Sequence, residues 1–361
     1  MLSQISCFVK RRKHLDTGSE PPRDTIEINQ MPHTVRAAST GDIPRLIDLL
    51  LSDAEERHVI DPILWKMAAD APAQIEKALT FALTSEQQPF RQIWQVLKHD
   101  GAINGVIHSM LLPVPPIYAG RQGDPGLILP DSTVAPGASE GMINALVAAA
   151  ERALMDAGAT IFLSTYVTSE PWHDVFRDRG YDPLTLYLSR TDLGDAGRPS
   201  AVRLATEADV PGIVARAAEN KRILFEIDPF WERHPDADTR FTGWMNRSLT
   251  LRDRDMMVMG SPENLNGYVI AQPASRLHFP PAHDITGTGV IDDYYHPDLA
   301  DPTVLANGGE GATTLLRAAE AAFADRGMGA AFVVCPARWL SKIEMLEAAG
   351  YETAMVWSIK Q

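Results

Sequence analysis

The chain has two cysteines in 361 residues, Cys7 and Cys335, in unrelated contexts. That excludes a disulfide framework and a thiolate zinc site, and it fits a reducing, cytoplasmic setting. Basic residues are in deficit: 33 Lys and Arg stand against 47 Asp and Glu, a formal net charge of −14. A surface of that sign disfavours nucleic acid and anionic membrane as partners. No apolar run is long enough to span a bilayer. The histidines, His108 and His173 among them, follow no metal-ligand spacing, so no metal is expected.

What the chain does have is length and apolar content for two cores, with 45% hydrophobic residues. Residues 1–33 differ from the rest. Lys10-Arg-Arg-Lys13 precedes a polar, proline-containing stretch, in the wrong order for a secretory signal, and reads as a disordered arm. Beyond it the sequence repeats itself. Val35-Arg-Ala-Ala-Ser-Thr-Gly-Asp-Ile43 matches Val202-Arg-Leu-Ala-Thr-Glu-Ala-Asp-Val210, and Asp61-Pro-Ile-Leu-Trp65 matches Asp228-Pro-Phe-Trp231. Asn104-Gly-Val-Ile107 matches Asn266-Gly-Tyr-Val-Ile270, and Gly180-Tyr181 matches Gly350-Tyr351. The offset stays between 162 and 170 residues, far beyond any solenoid period. The chain therefore divides into copies at 34–191 and 201–361, joined by a linker at 192–200.

Each copy opens with a short strand and a helix capped by Ser39 with Asp42, or Thr206 with Asp209. A second helix is expected after each Asp-Pro, where proline suits a first turn. Asp61 and Asp228 then read as caps. Strands follow at 92–97, 102–110, 255–259 and 267–271. The second half of each copy is strand, loop, helix, strand, helix, strand. This order implies an α/β sandwich with a mixed, partly parallel sheet.

The most telling stretch is Gly287 to Lys360. The strand Gly287-Thr-Gly-Val-Ile-Asp-Asp-Tyr-Tyr295 leads to the loop Ala306-Asn-Gly-Gly-Glu-Gly-Ala312 and a helix from Thr313. Glycines and a helix N-terminus together can hold an anion. The strand Ala330–Cys335 and a helix ending in Ala349-Gly-Tyr351 follow. This order resembles the GNAT family of acyl-CoA-dependent N-acyltransferases, in which a Q/R-x-x-G-x-G/A loop opens the helix that holds the CoA pyrophosphate. Here Gly309-Glu-Gly311 keeps the Gly-x-Gly, the leading Gln/Arg is missing, and Asn307 lies one position away. The family's tyrosine four residues before the final glycine is replaced by Leu346. In the first copy Ala138-Ser-Glu-Gly141-Met-Ile143 takes the loop's place and Phe176 the tyrosine's, which marks that copy as degenerate.

The resemblance covers residues 34–361 as two tandem GNAT-like folds, each a mixed sheet flanked by helices, a layout similar to that of mycothiol synthase. It implies acetyl-CoA or another acyl-CoA as co-substrate, held by Asn307, Gly308, Gly309, Gly311, Ala312 and Thr313 in the second copy. It implies a small amine as acceptor, with Glu226, Phe225 and Trp231 beside it. Asp292 or Asp293 would serve as base, and Tyr294 or Tyr295 as proton donor to the thiolate. The aspartates equally fit a pairing with backbone or arginine, and Cys335 fits plain burial. A non-catalytic ligand binder, or another CoA-thioester reaction such as decarboxylation, remains as an alternative function.

Overall fold

The computed structural model describes residues 33–193, 197–277 and 279–361. The expected arm, with Cys7 and the basic cluster, lies outside the described residues except for His33, and so does part of the expected linker. The first copy contains strands β1 (Thr34–Ala37), β2 (Gln92–His99), β3 (Ala102–Leu111), β4 (Pro125–Ile128), β5 (Thr133–Val134), β6 (Ile161–Val167) and β7 (Asp182–Thr191). Its helices are α1 (Ile43–Ile60), α2 (Ala71–Thr84), α3 (Glu140–Asp156) and α4 (Trp172–Asp178). The second copy repeats them as β8 (Val202–Leu204), α5 (Val210–Ile227), α6 (Ala237–Ser248), β9 (Asp255–Ser261), β10 (Asn264–Pro273), β11 (Thr288–Ile291), β12 (Tyr294–Tyr295), α7 (Glu310–Asp325), β13 (Ala330–Pro336), α8 (Leu340–Ala348) and β14 (Glu352–Lys360).

Among the described residues all fourteen strands belong to one sheet. Its order is β1-β2-β3-β4-β6-β14-β7-β13-β11-β10-β9-β8, with β5 on β3 and β12 on β10. From either edge inward the order is the same, until the last strands trade places. β14 pairs with β6 of the first copy, β7 pairs with β13 of the second, and the two run antiparallel side by side at the centre. Each copy thus completes the other's sheet. Among the described residues the only parallel pairs are β4 with β6 and β11 with β13.

Local chemistry explains the repeats. Asp42 and Asp209 each close a reciprocal capping box with Ser39 and Thr206. Each is also gripped by an arginine six residues earlier, on the preceding strand: Arg36 holds Asp42 by two bonds of 2.7 Å, and Arg203 holds Asp209 at 2.8 and 2.6 Å. The Asp-Pro segments do not begin the expected α-helices. Asp61 accepts from the N–H groups of Ile63 and Leu64 in a tight turn, and Asp228 does act as a cap, accepting from the Phe230 N–H at the start of a single 3-10 turn, Pro229–Trp231; α2 and α6 start only at Ala71 and Ala237. The reason is tertiary. Each turn seats a tryptophan beneath a loop from the other copy. Trp65 packs on Phe279 and His283 at ring separations of 5.2 and 5.3 Å, and Trp231 packs on Tyr118 at 5.1 Å. Backbone bridges, Met67 with His283 and Tyr118 with Arg233, fix both crossings. One apolar cluster, including Trp65, Leu127, Tyr187, Phe332 and Trp357, therefore draws on both copies. The first-copy helices pack in pairs on opposite faces, α1 and α2 on Trp94, Val96 and Val106, α3 and α4 on Leu97, Ile107 and Ile128.

Candidate active site

Each parallel pair stops pairing after four residues, at Ile128 with Ser164 and at Ile291 with Val333. The strands part there, and the ionisable groups gather at the two gaps.

In the second copy the gap holds Asp292 and Asp293, between β11 and β12. Asp292 lines a cavity of about 80 Å³ with Tyr187, Gln272, Pro273, Ser275, Val290 and Val334. It reaches solvent, yet protein crowds it closely enough that lost hydration raises its pKa, an effect opposed by Lys342. Asp293 turns towards Tyr268, whose hydroxyl lies 3.5 Å from its carboxylate. Burial, then repulsion from Asp292, pushes Asp293 up to about 7, against the pull of Lys221 and Lys342. The two lysines are themselves buried, and burial lowers both. Lys342 donates to the Val334 carbonyl of β13 at 3.2 Å, while Lys221 sits 3.8 Å from the Phe241 ring centre. Cys335 is fully buried beside them, its thiol pushed up to about 12 by burial.

The other expected second-copy residues do not converge on this gap. Tyr294 is fully buried and its hydroxyl donates to the Ala312 carbonyl, while burial holds its pKa well above the phenol range. That proton is committed to a carbonyl, which disfavours the donor role. Tyr295 lies on the α5 side, among Arg216, Glu219 and Arg222. Glu226 pairs with Arg222 on the exposed side of α5, Phe225 is exposed beside it, and Trp231 is occupied by its stack with Tyr118.

The expected pyrophosphate loop already holds an anion, one belonging to the chain. The Asp298 carboxylate, 2% exposed, accepts from the N–H of Gly311 at 2.8 Å, the N–H of Ala312 at 3.1 Å and the side-chain amide of Asn307 at 3.0 Å. Asn307, Gly308 and Gly309 all take positive φ (50°, 61° and 71°) to deliver this geometry, which explains the glycine pair. Gly311 is needed for a different neighbour: a Cβ there would lie 2.2 Å from the His296 ring. Burial holds His296 below its ordinary pKa, against the opposing pull of Asp298, whose carboxylate lies 3.0 Å from its Nδ1. A CoA diphosphate needs open N–H donors and no fixed negative charge. The second-copy loop does not meet that need, and Thr313 beyond it does not alter the balance.

The first-copy gap is built differently. His108, on β3, stacks on Trp94 across the strand pair at 3.9 Å, and its Nδ1 lies 2.7 Å from the Asp131 carboxylate. Asp131 follows β4 just where the strands part, and the Leu129 N–H bonds the His108 carbonyl at 2.9 Å. His108 Nε2 is buried and has no hydrogen-bond partner. With Nδ1 protonated by assignment from this contact, Nε2 carries a free lone pair. Arg57 of α1 braces the gap. It donates to the Pro130 carbonyl and pairs with Glu170 at 2.6 Å and Asp53 at 2.7 Å. Burial pushes Asp53 up to about 8 despite that arginine. The segment joining β5 to α3, Ala135-Pro-Gly-Ala-Ser139, contains no carboxylate, and Ser139 makes no side-chain cap bond. Gly141 has space around it, with Ser139 Oγ at 3.7 Å the nearest neighbour of an added Cβ. Ile143, at the last position of the corresponding loop, packs in the apolar core.

Sequence reasoning weighed His108 only as a metal ligand and passed over Asp131, Arg57, Lys221, Lys342 and Asp298. A signal existed for His108: the repeat pairs it with Ile270, so it is a lone imidazole at an apolar strand position.

No protein-family model and no curated sequence matches the chain. Solved structures do. A GCN5-related N-acetyltransferase from Sphaerobacter thermophilus is 15% identical over 91% of this chain and 95% of its own, with a TM-score of 0.51. A tandem GNAT protein from the clavulanic acid biosynthesis pathway is 15% identical over 91% of this chain and 98% of its own, with a TM-score of 0.47. The PaiA N-acetyltransferase of Thermoplasma acidophilum, solved with coenzyme A, covers 42% of this chain and 91% of its own at 13% identity and a TM-score of 0.32. Among the described residues, no helix is long and apolar enough to cross a membrane, and no cluster of His, Cys, Asp and Glu is arranged to hold a metal ion. From edge to edge, the chain has the fold of the GCN5-related N-acetyltransferases, two copies of it sharing one sheet.

Proposed function

We propose that the protein is an acyl-CoA-dependent N-acyltransferase acting on a small amine, and that its chemistry belongs to the first copy. The observation that carries this reading is the His108–Asp131 pair at the parting of β4 and β6, with Nε2 unpartnered. An amine must lose a proton before it can attack a carbonyl carbon, and an imidazole oriented by a carboxylate is suited to take it. Asp131 holds the ring in the tautomer that leaves Nε2 free. Arg57, bound to the Pro130 carbonyl, keeps Asp131 in place from the neighbouring residue. The residues present fit a CoA at the start of α3, where the first-turn N–H groups of Glu140 and Gly141 would hold its diphosphate. When bound there, an acyl-CoA supplies the activated acyl group. Acetyl is the expected acyl group, and the cytoplasm the expected location.

For the second copy the geometry favours the other reading, a non-catalytic partner. Lys342 is buried beside Asp292 and Asp293 with its ammonium on the Val334 carbonyl, and Asp298 fills the loop. The test is release of free CoA from acetyl-CoA in the presence of a panel of small amines. Amine-dependent release that is lost in His108→Gln supports the proposal. Release that survives His108→Gln but is lost in Asp292→Asn with Asp293→Asn would return the chemistry to the second copy.

A further inference from the structure

We propose that Asp298 is an internal anion that occupies the diphosphate seat of the second copy and closes it to CoA. Its carboxylate makes the contacts a bound phosphate would make: two consecutive backbone N–H groups at the N-terminus of α7 and a side-chain amide from the preceding loop. Three independent features hold it there. The segment from Pro297 to Leu299 is a short 3-10 turn, closed by the Asp298 N–H on His296 Nδ1 at 3.2 Å, which aims the carboxylate. The His296 ring lies against Gly311, so the backbone has closed down on the seat from behind. Trp339 donates to the Leu299 carbonyl at 3.1 Å, tying the turn to the start of α8.

The comparison within the chain strengthens the point. Five residues, 135–139, join β5 to α3, whereas fourteen residues, 296–309, join β12 to α7. The longer connection supplies His296, Asp298 and Asn307. It carries both the carboxylate and the amide that receives it. An external diphosphate would have to displace a buried, triply hydrogen-bonded carboxylate or sit against it, and like charges at that distance repel strongly. The consequence is that the molecule takes at most one CoA. That this one lies in the first copy rests on the function proposed above; the closed second seat does not.

The experiment is backbone hydrogen exchange read by mass spectrometry on the full chain, with and without CoA, and separately with inorganic pyrophosphate. Wild type, Asp298→Ala and Asp298→Asn are compared. In wild type, saturating CoA is expected to leave exchange across 308–316 unchanged. Asp298→Ala should speed exchange at residues 311–312 at least tenfold, and millimolar pyrophosphate should restore the slow rate. Asp298→Asn keeps an acceptor oxygen but not the charge, so it serves if the alanine variant does not fold. It should exchange faster than wild type and also slow with pyrophosphate. Slowing of 308–316 by CoA in wild type, or variants that ignore pyrophosphate, would overturn the proposal. CoA that slows neither 308–316 nor 138–144 in wild type would remove the first-copy reading while leaving the closed seat standing.

Discussion

The two copies share a backbone plan and differ in what their charges are bound to. At the first-copy gap an arginine braces a backbone carbonyl, and the residue next to it orients a histidine whose second nitrogen is free. At the second-copy gap two carboxyl groups, raised by burial, face two buried lysines lowered by it, one of them bonded to the Val334 carbonyl. The helix that follows begins openly in one copy and on a buried carboxylate in the other. The lesson is that a repeat conserves backbone hydrogen bonding and core packing, while chemistry turns on a few polar side chains set where strands part.

The largest expected effect tests that contrast directly. His108→Gln should lower amine-dependent CoA release by roughly 10²–10⁴-fold, the usual contribution of a general base. Asp292→Asn with Asp293→Asn should change it less than about threefold, a difference of under ~0.7 kcal/mol. Equal losses in both would erase the distinction between the copies. Circular dichroism of each variant checks that the fold is intact.

Next comes a pair of glycines. Gly311→Val forces a branched side chain into the His296 ring and should destabilise the fold by about 1–3 kcal/mol, the usual cost of overpacking. Gly141→Val meets open space and should unfold like wild type, yet weaken CoA binding about tenfold, ~1.4 kcal/mol. Urea denaturation and calorimetric titration separate the two outcomes. A Gly311→Val protein of unchanged stability would show that the seat is looser than described.

Where the copies agree, substitutions should agree too. Asp42→Ala and Asp209→Ala each remove a reciprocal cap held by an arginine, so both should cost about 0.5–2 kcal/mol. A clear inequality in their denaturation midpoints would mean that the first turns of the copies are not energetically equivalent.

The smallest effect lies in the pH dependence of stability. Asp293 is pushed up to about 7 and Asp53 up to about 8, whereas an unfolded aspartate titrates near ~4. Between those values the folded state holds more protons than the unfolded chain, so each group makes stability fall as pH rises from about 4 to 7 or 8. Asp209 works in the opposite sense. Its arginine partner, the largest cause, lowers it to about 2, so its stabilisation is present above about 4 and is lost as pH falls towards 2. Asp53→Asn and Asp293→Asn should each flatten the decline between pH 5 and 8 in urea unfolding. An unchanged slope in both would show that these carboxyl groups are better hydrated than their burial implies.

Much of the fold was legible because its signals are local. The capping pairs at Ser39 and Thr206, the Asn-Gly irregularities within β3 and β10 and the Gly-Tyr ends each act within a few residues, so they recur in sequence and structure alike. The site was far less legible. Asp131 lies 23 residues from His108, and Asp298 lies 13 residues from Gly311. No spacing rule links such pairs, because a strand, a bulge or a long loop brings them together. The loop glycines suggested the approach of a diphosphate; in the structure the His296 ring lies against Gly311 and the chain's own Asp298 carboxylate takes its N–H.

By itself, then, the sequence determined the α/β class, the twofold repeat, the capped helices and the order of strands in each copy, since hydrophobic period and turn chemistry act over short range. Only the tertiary structure decided that β7 and β14 trade places. Both are apolar strands of nearly the same length, and either sheet could accept either one, so the choice falls to the loops that cross between copies and seat Trp65 and Trp231. The tertiary structure likewise decided which helix start stays open, because whether an N–H group is free depends on what the rest of the chain places opposite it.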